Sequence, residues 1–484
     1  MKNWRLWIAV FLCFGICVLT GCGETANTTT EQPSKEAEEA EVTPTPEPTP
    51  VPTPTPEPTV IIGEKEFKQS VSEADVSYVI LNPEELEQVL QSLPKLTELK
   101  FYAEDLSAEE IHALKEKYPQ VAFSYEFSFR EETCGNNTEE INLVGLTSEE
   151  VEQTAVQLGK FDSPVMLRLA DENGESLLSL EDVAILHEAA PDAAIDYNTV
   201  LFKKNVSLLD EELSYTDVFI GEKGAEKIKA ILPLMKNCTK VLLDECDISN
   251  ETMAQIRDDN PDKKVVWRVH FAWGNCLTDA TTLRVVGSMT AGAAEPLKYC
   301  TEVKFIDFGH STELTTIEFA RYMPHLRILI VVDSAITSLE PLTNCRELQL
   351  LEIVNCYALT DLSPLAECEN LQFLNMSNCF GVRDITPLYG LEHLERLYCS
   401  QYKVPQEQID EIRELMPDCW ITFGRPGSSR VSYNYSIGWR LDAAPNERSE
   451  WYIELREIFG VSQEWYSSGR HSDNPPEVEL KIFA

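Results

Sequence analysis

Cysteine is the residue type best placed to do chemistry in this 484-residue chain, which holds 14 of them. Thiols act as disulfide partners, metal ligands or nucleophiles, and each role needs its own spacing. Cys13 and Cys17 lie in an apolar N-terminal run and Cys22 ends the tetrad Leu19-Thr20-Gly21-Cys22, leaving eleven, an odd number with no C-x-x-C pair. A disulfide framework or a zinc site is therefore poorly supported. The seven histidines are scattered, and no G-x-S-x-G, H-E-x-x-H, Walker loop or G-x-G-x-x-G is present. With 81 acidic residues some carboxylates must lie close together by chance, so a guessed glycosidase pair carries no weight. Asp171-Glu172-Asn173-Gly174-Glu175 resembles a calcium loop but lacks its alternating oxygen ligands and closing Glu, and reads as a turn. The expectation is a protein that is not an enzyme and holds no cofactor or metal. A formal charge of −41 also speaks against nucleic acid and anionic lipid surfaces, which reward Lys and Arg clusters.

Most of the remaining thiols keep a position in a repeat. LRILIVVDSAI from Leu326, LQLLEIVNCYAL from Leu348, LQFLNMSNCFGV from Leu371 and LERLYCSQYKV from Leu394 share the frame L-x-x-L-x-L/V/M/C, at spacings of 22, 23 and 23 residues. That period is the one expected of leucine-rich repeats. Cys300, Cys345 and Cys368 each precede the first apolar position (Val303, Leu348, Leu371) by three residues, so each thiol replaces a small buried apolar group. Cys356 and Cys379 fall at the buried Asn/Cys position and would stack on neighbouring turns, where a bond is conceivable. In the strands of such repeats inward residues alternate with outward ones lining the concave face. The outward columns read Phe305, Ile328, Leu350, Phe373 and Arg396, then Asp307, Ile330, Glu352, Asn375 and Tyr398, then Gly309, Val332, Val354, Ser377 and Ser400. The first column is apolar in four of its five places, so the first two columns are the candidate binding residues. Such a patch wants a cover. The chain's own aromatic tail, a merely apolar concave floor and an external partner all remain open.

A second periodicity lies upstream. Ser107, Ser179, Ser249 and Pro405 are each followed 12 residues later by a proline (Pro119, Pro191, Pro261, Pro417) and then by an extended apolar run. Ser with an acid three positions on opens a helix as a capping box, Pro405 suits a first-turn position, and the later proline closes the helix. The block recurs at 72 and 70 residues, from Leu106 to Leu178 to Ile248. Residues 63–275 are thus expected to be divergent helix-strand leucine-rich-like repeats, continuous with leucine-rich repeats at 276–423. The fold class is α/β, a leucine-rich-repeat solenoid with a parallel sheet on the concave face and helices and turns on the convex face. Residues 424–484, rich in aromatics, are expected to cap the open end.

The N-terminus gives the address. Lys2 and Arg5 precede an apolar run from Leu6 to Val18, which reads as an export signal rather than a membrane span. The tetrad L-T-G-C resembles the lipobox of bacterial lipoproteins, implying a signal peptide at 1–21 and a diacylglycerol on Cys22. Residues 22–62 form a Pro/Thr/Glu-rich linker whose alternating prolines favour an extended, disordered stalk. The segments PLYGLEHLERL, VPQEQIDEIRELMPDC, GWR and LREIFG resemble the ending of leucine-rich-repeat surface lipoproteins of anaerobic Gram-positive bacteria, over about residues 300–460. That resemblance implies a repeat fold and surface display, with no settled ligand. The expected protein is anchored to the cell membrane through its N-terminal lipid, on the extracytoplasmic face. It would act as a binding or adhesion module for a protein, peptide or glycan, and not for nucleic acid. The alternatives are an envelope enzyme, a solute-binding lipoprotein and a non-binding structural spacer.

Overall fold

The computed structural model describes residues 57–400 and 403–424. The segments expected to be a signal peptide (1–21) and a C-terminal cap (424–484) lie outside them but for Gly424, as does nearly all of the expected linker.

The expected linker boundary at residue 62 falls inside folded structure. Thr59–Ile62 pairs antiparallel with Lys65–Lys68, because a β-branched run is followed by Gly63, whose φ of 58° makes the turn. The same kind of hairpin closes all three long repeats, with left-handed residues at Arg130-Glu131, at Phe202-Lys203 and at Ala272. These turns recur at the same 72- and 70-residue spacing as the capped helices. Each long repeat stacks three parallel strands: Glu73–Ile80, Glu98–Tyr102 and Ala122–Phe129; then Glu140–Asn142, Met166–Arg168 and Ala194–Asp196; then Glu212–Thr216, Lys240–Asp244 and Lys264–Phe271.

The helices between these strands start and stop where the sequence dictates. Ser107 and Ser179 cap Ala108–Lys117 and Leu180–Ala189 in complete capping boxes with Glu110 and Asp182, and Asn82 does the same for Pro83–Ser92 with Glu85. Ser249 caps Asn250–Asp259 without an acid three residues on; its own N–H donates to Glu222 of the preceding helix at 2.7 Å instead. Pro405 is the N-cap of Gln406–Leu415, one position earlier than a first-turn proline. All five of these helices stop two residues before a proline, since the residue preceding proline avoids the helical region.

From residue 282 the backing shortens. Seven strands, Thr282–Arg284, Phe305–Asp307, Ile328–Ile330, Leu350–Glu352, Phe373–Met376, Arg396–Ser400 and Trp420–Gly424, form one all-parallel sheet. Pro-Leu pairs start 3-10 turns in these coils at Glu295–Tyr299, Glu340–Asn344, Ser363–Glu367 and Thr386–Leu388, and only the last coil, before Trp420–Gly424, keeps a ten-residue helix, Gln406–Leu415. One continuous core runs from Ile62 to Ile412 between strands and backing, with no break where the long repeats meet the short ones. The result is a leucine-rich-repeat solenoid.

Candidate functional site

Parallel pairing without a register shift puts Phe305, Ile328, Leu350, Phe373 and Arg396 side by side, and Asp307, Ile330, Glu352, Asn375 and Tyr398 beside them. Their neighbours Ile306, Leu329, Leu351, Leu374 and Leu397 belong to the continuous core; the four apolar residues of the first column do not, because they point the other way. They are nevertheless buried, Phe305 at 2%, Ile328 at 3%, Leu350 at 1% and Phe373 at 2% exposure. The second column is equally dry. Asp307, Ile330, Glu352, Asn375 and Tyr398 are all buried, and Arg396 is half-buried. Asp307, Glu352 and Asn375, which border the apolar stripe, are thus enclosed with it.

Charges in that position need partners. Arg284, one strand before Asp307, donates to its carboxylate at 3.1 Å, and both side chains are buried. Asp307 also accepts from the Gly309 N–H at 3.0 Å. Asn375 points its amide at Glu352, at 3.4 Å, and accepts from the Ser377 N–H. A carboxylate taken out of water is tolerated only with such donors around it.

The sheet face of the long repeats is different. Lys100 sits on a half-exposed strand face with Glu126 at 3.1 Å, Arg168 bridges Glu140 and Asp196 at 3.1 and 3.6 Å, and Lys240 meets Glu212 at 3.4 Å. Arg268 holds Asp244 through two 2.7 Å hydrogen bonds and reaches Asn275 as well. A groove of about 500 Å³ lined by Glu73, Asp75, Glu98, Lys100, Phe123 and Ser124 runs along the first sheet. Sequence reading missed this face because each unit supplies only one central cation, and the three are not adjacent in the chain.

The edge after each short strand carries a second feature missed earlier. His310, Asp333, Asn355 and Asn378 all take left-handed backbone, φ 56–62°, which small polar side chains accept more readily than others. Their side chains hydrogen-bond from coil to coil: His310 with Asp333, Asn355 with Asp333, and Asn378 with Asn355. Two residues beyond, Tyr357 and Phe380 stack with ring centres 5.8 Å apart, the tyrosine 59% exposed. The sequence signal for the ladder was the pair Asn-Cys at 355–356 and 378–379.

The eleven described cysteines form no disulfide with one another. Cys345, Cys368, Cys356 and Cys379 are buried and donate to carbonyls of the preceding coil, Cys345 to Ala320 at 3.3 Å and Cys379 to Ile353 at 2.9 Å. Burial pushes the Cys345 and Cys368 thiols up to about 12, which disfavours the thiolate. Cys276 and Cys300 approach to 3.7 Å in the core. His112, His270, His310 and His325 each face a surface carboxylate. Among the described residues no cluster of His, Cys, Asp and Glu is arranged to hold a metal ion, and no helix is long and apolar enough to cross a membrane.

No protein-family profile matches the chain, and no curated protein does. Solved structures do. An internalin C2 from Listeria monocytogenes is 16% identical, covering 46% of this chain and 85% of its own, with a TM-score of 0.21. An internalin of the same organism is 14% identical over 65% of this chain and 89% of its own, at 0.21. A leucine-rich-repeat protein of Leptospira interrogans is 13% identical over 69% and 91%, at 0.19. The leucine-rich-repeat fold of this chain follows from its own strand register and its repeat spacing.

Proposed function

We propose that this protein is a binding or adhesion module held on the extracytoplasmic face of the cell membrane by a lipid on Cys22, and that it takes a protein or peptide in the first place and a glycan in the second. The carrying observation is the sheet face itself. Strand after strand, it presents aligned side chains away from the helices and turns, charged and open at Lys100, Arg168 and Lys240, apolar from Phe305 to Phe373. A stacked face of this kind offers a long surface to a partner rather than a closed cleft to a small substrate. The lipid anchor rests on Leu19-Thr20-Gly21-Cys22 alone. The first two outward columns remain the proposed binding residues, reached by a partner that displaces whatever covers them; the charged face needs no displacement.

Capture from envelope and host extracts, and a glycan array, would test this with the mature chain 22–484. Two variants serve as references, Lys100→Glu with Arg168→Glu, and Ile328→Ser with Phe373→Ser. Saturable capture lost in either variant supports the reading and says which half of the face acts. Capture that survives both, or no saturable capture at all, refutes it and leaves a spacer.

A further inference from the structure

We propose that the edge of the stack between His310 and Tyr357 is a binding site for a neutral sugar of a glycan chain. The wall of the site is aromatic. Tyr357 and Phe380 occupy the same place in successive coils, each five residues past the paired strand positions Glu352 and Asn375, and their ring planes lie 24° from parallel. Tyr357 is 59% exposed. At the same place in the two coils before it stand only Ala335 and Thr312, so a shelf of small residues lies in front of the ring. The wall is also stiff. Cys356, just before Tyr357, donates to the Val331 carbonyl at 3.4 Å, and Cys379, just before Phe380, donates to that of Ile353 at 2.9 Å. Gly381 runs so close to the preceding coil that a Cβ on it would come 2.2 Å from the Leu359 carbonyl oxygen. Glycine at 381 thus lets the two coils, and with them the two rings, approach as they do. A ring fixed in advance loses little conformational freedom when a ligand lands on it.

The rim beside the shelf is polar with little charge to spare. Asn378 donates to Asn355 at 2.7 Å, Asn355 donates to Asp333, and the other Asp333 oxygen meets His310. A primary amide has two N–H groups and two lone pairs. Asn355 uses one of each within the ladder, which among the described residues leaves one of each for a ligand. Asp333, the one carboxylate of the ladder, already has a partner on both oxygens, so it holds nothing back for a cationic peptide. The row has no Lys or Arg to favour a phosphate or a sulfate. An apolar peptide segment would bury the amides without partners. A pyranose ring matches both halves of the surface: its C–H face packs on an aromatic ring, and the hydroxyls around its rim exchange hydrogen bonds with amides.

This goes beyond the binding reading and does not depend on it: Tyr357 and Ala335 lie off the sheet face, so sugar binding lost here and capture lost with Lys100 or Ile328 are separate results. The test applies the mature chain 22–484 to a printed array of neutral, acidic and amino-sugar glycans, some as polysaccharide fragments and some carried on protein. The carrier that responds tells the source, and the best neutral oligosaccharide is then titrated by calorimetry. Saturable binding of neutral members is expected. Tyr357→Ala should weaken it about tenfold or more, and Tyr357→Phe, which keeps the ring, by less than about threefold. Ala335→Trp, which fills the shelf and leaves the wall in place, should abolish it. Tyr322→Ala removes another exposed ring, on a convex 3-10 turn, and should change nothing. Circular dichroism checks that each variant is folded. No response from any neutral glycan, a response confined to charged sugars, or binding that survives either Tyr357→Ala or Ala335→Trp would overturn the proposal.

Discussion

Phe373→Glu is the most informative single change. The phenyl ring is 2% exposed and sits between Leu350 and Arg396 on neighbouring strands, with buried Glu352 diagonally opposite. Losing a fully buried phenylalanine removes about 3 kcal/mol or more of transfer and packing energy. The new carboxylate cannot stay dry beside Glu352, so it would draw water into this face rather than accept burial. The expected cost is therefore about 2 to 4 kcal/mol, the packing lost around that ring. Tyr357→Glu provides the reference: its ring is 59% exposed, and the substitution should cost about 0.5 kcal/mol or less. Urea unfolding of both variants beside the parent, followed by circular dichroism, gives the comparison. Equal midpoints for the two variants would show that the stripe is wetter than its burial implies, and the reasoning would fail.

Three further outcomes are expected. Cys22→Ser should release the protein to the medium or leave it unprocessed, since a buried acyl chain contributes roughly 0.8 kcal/mol per CH₂; unchanged membrane retention would end the lipoprotein proposal. Cys345→Ala or Cys368→Ala should cost about 1 to 2 kcal/mol through lost packing, while reductant leaves the parent's melting midpoint in place; a large drop with reductant would reveal disulfides. Hydroxyl and backbone N–H donors hold the carboxyls of Asp182, Glu222 and Asp384 below their ordinary values. A depressed folded value means stability that is present above the unfolded value and lost as pH falls through the folded one. Melting should therefore weaken from about pH 4 downward, and less so in Asp182→Asn; an equal acid slope in that variant would count against the capping contribution.

The architecture was legible because two periods are written in apolar and capping residues. Leu326, Leu348, Leu371 and Leu394 mark one; Ser107, Ser179 and Ser249 with their prolines mark the other, and the structure puts a coil or a capped helix at each. The start of folding at Thr59 was hidden because TVII adjoins a proline-rich run and its hairpin partner KEFK is mostly polar. Alternation in the strands shows that Phe305 and Phe373 point away from the core, but it carries no information on what lies above them. Burial of Glu352 and Asn375 was illegible for the same reason, since a polar side chain in an outward column looks the same in sequence whether it meets water or a second layer. The Asn355–Asn378 ladder depends on backbone handedness, for which an asparagine is a preference and not a rule.

The strand register has a mechanical consequence. Each coil of the seven-stranded sheet bonds only to the coils before and after it, through parallel ladders three to five residues long. A pull along the stack loads those ladders one at a time, like teeth of a zip, and never all seven in shear. Every coil that peels away frees about 23 residues and lengthens the chain by on the order of 75 Å. A tether built this way yields by steps, shedding load coil by coil while the coils still stacked keep their shape.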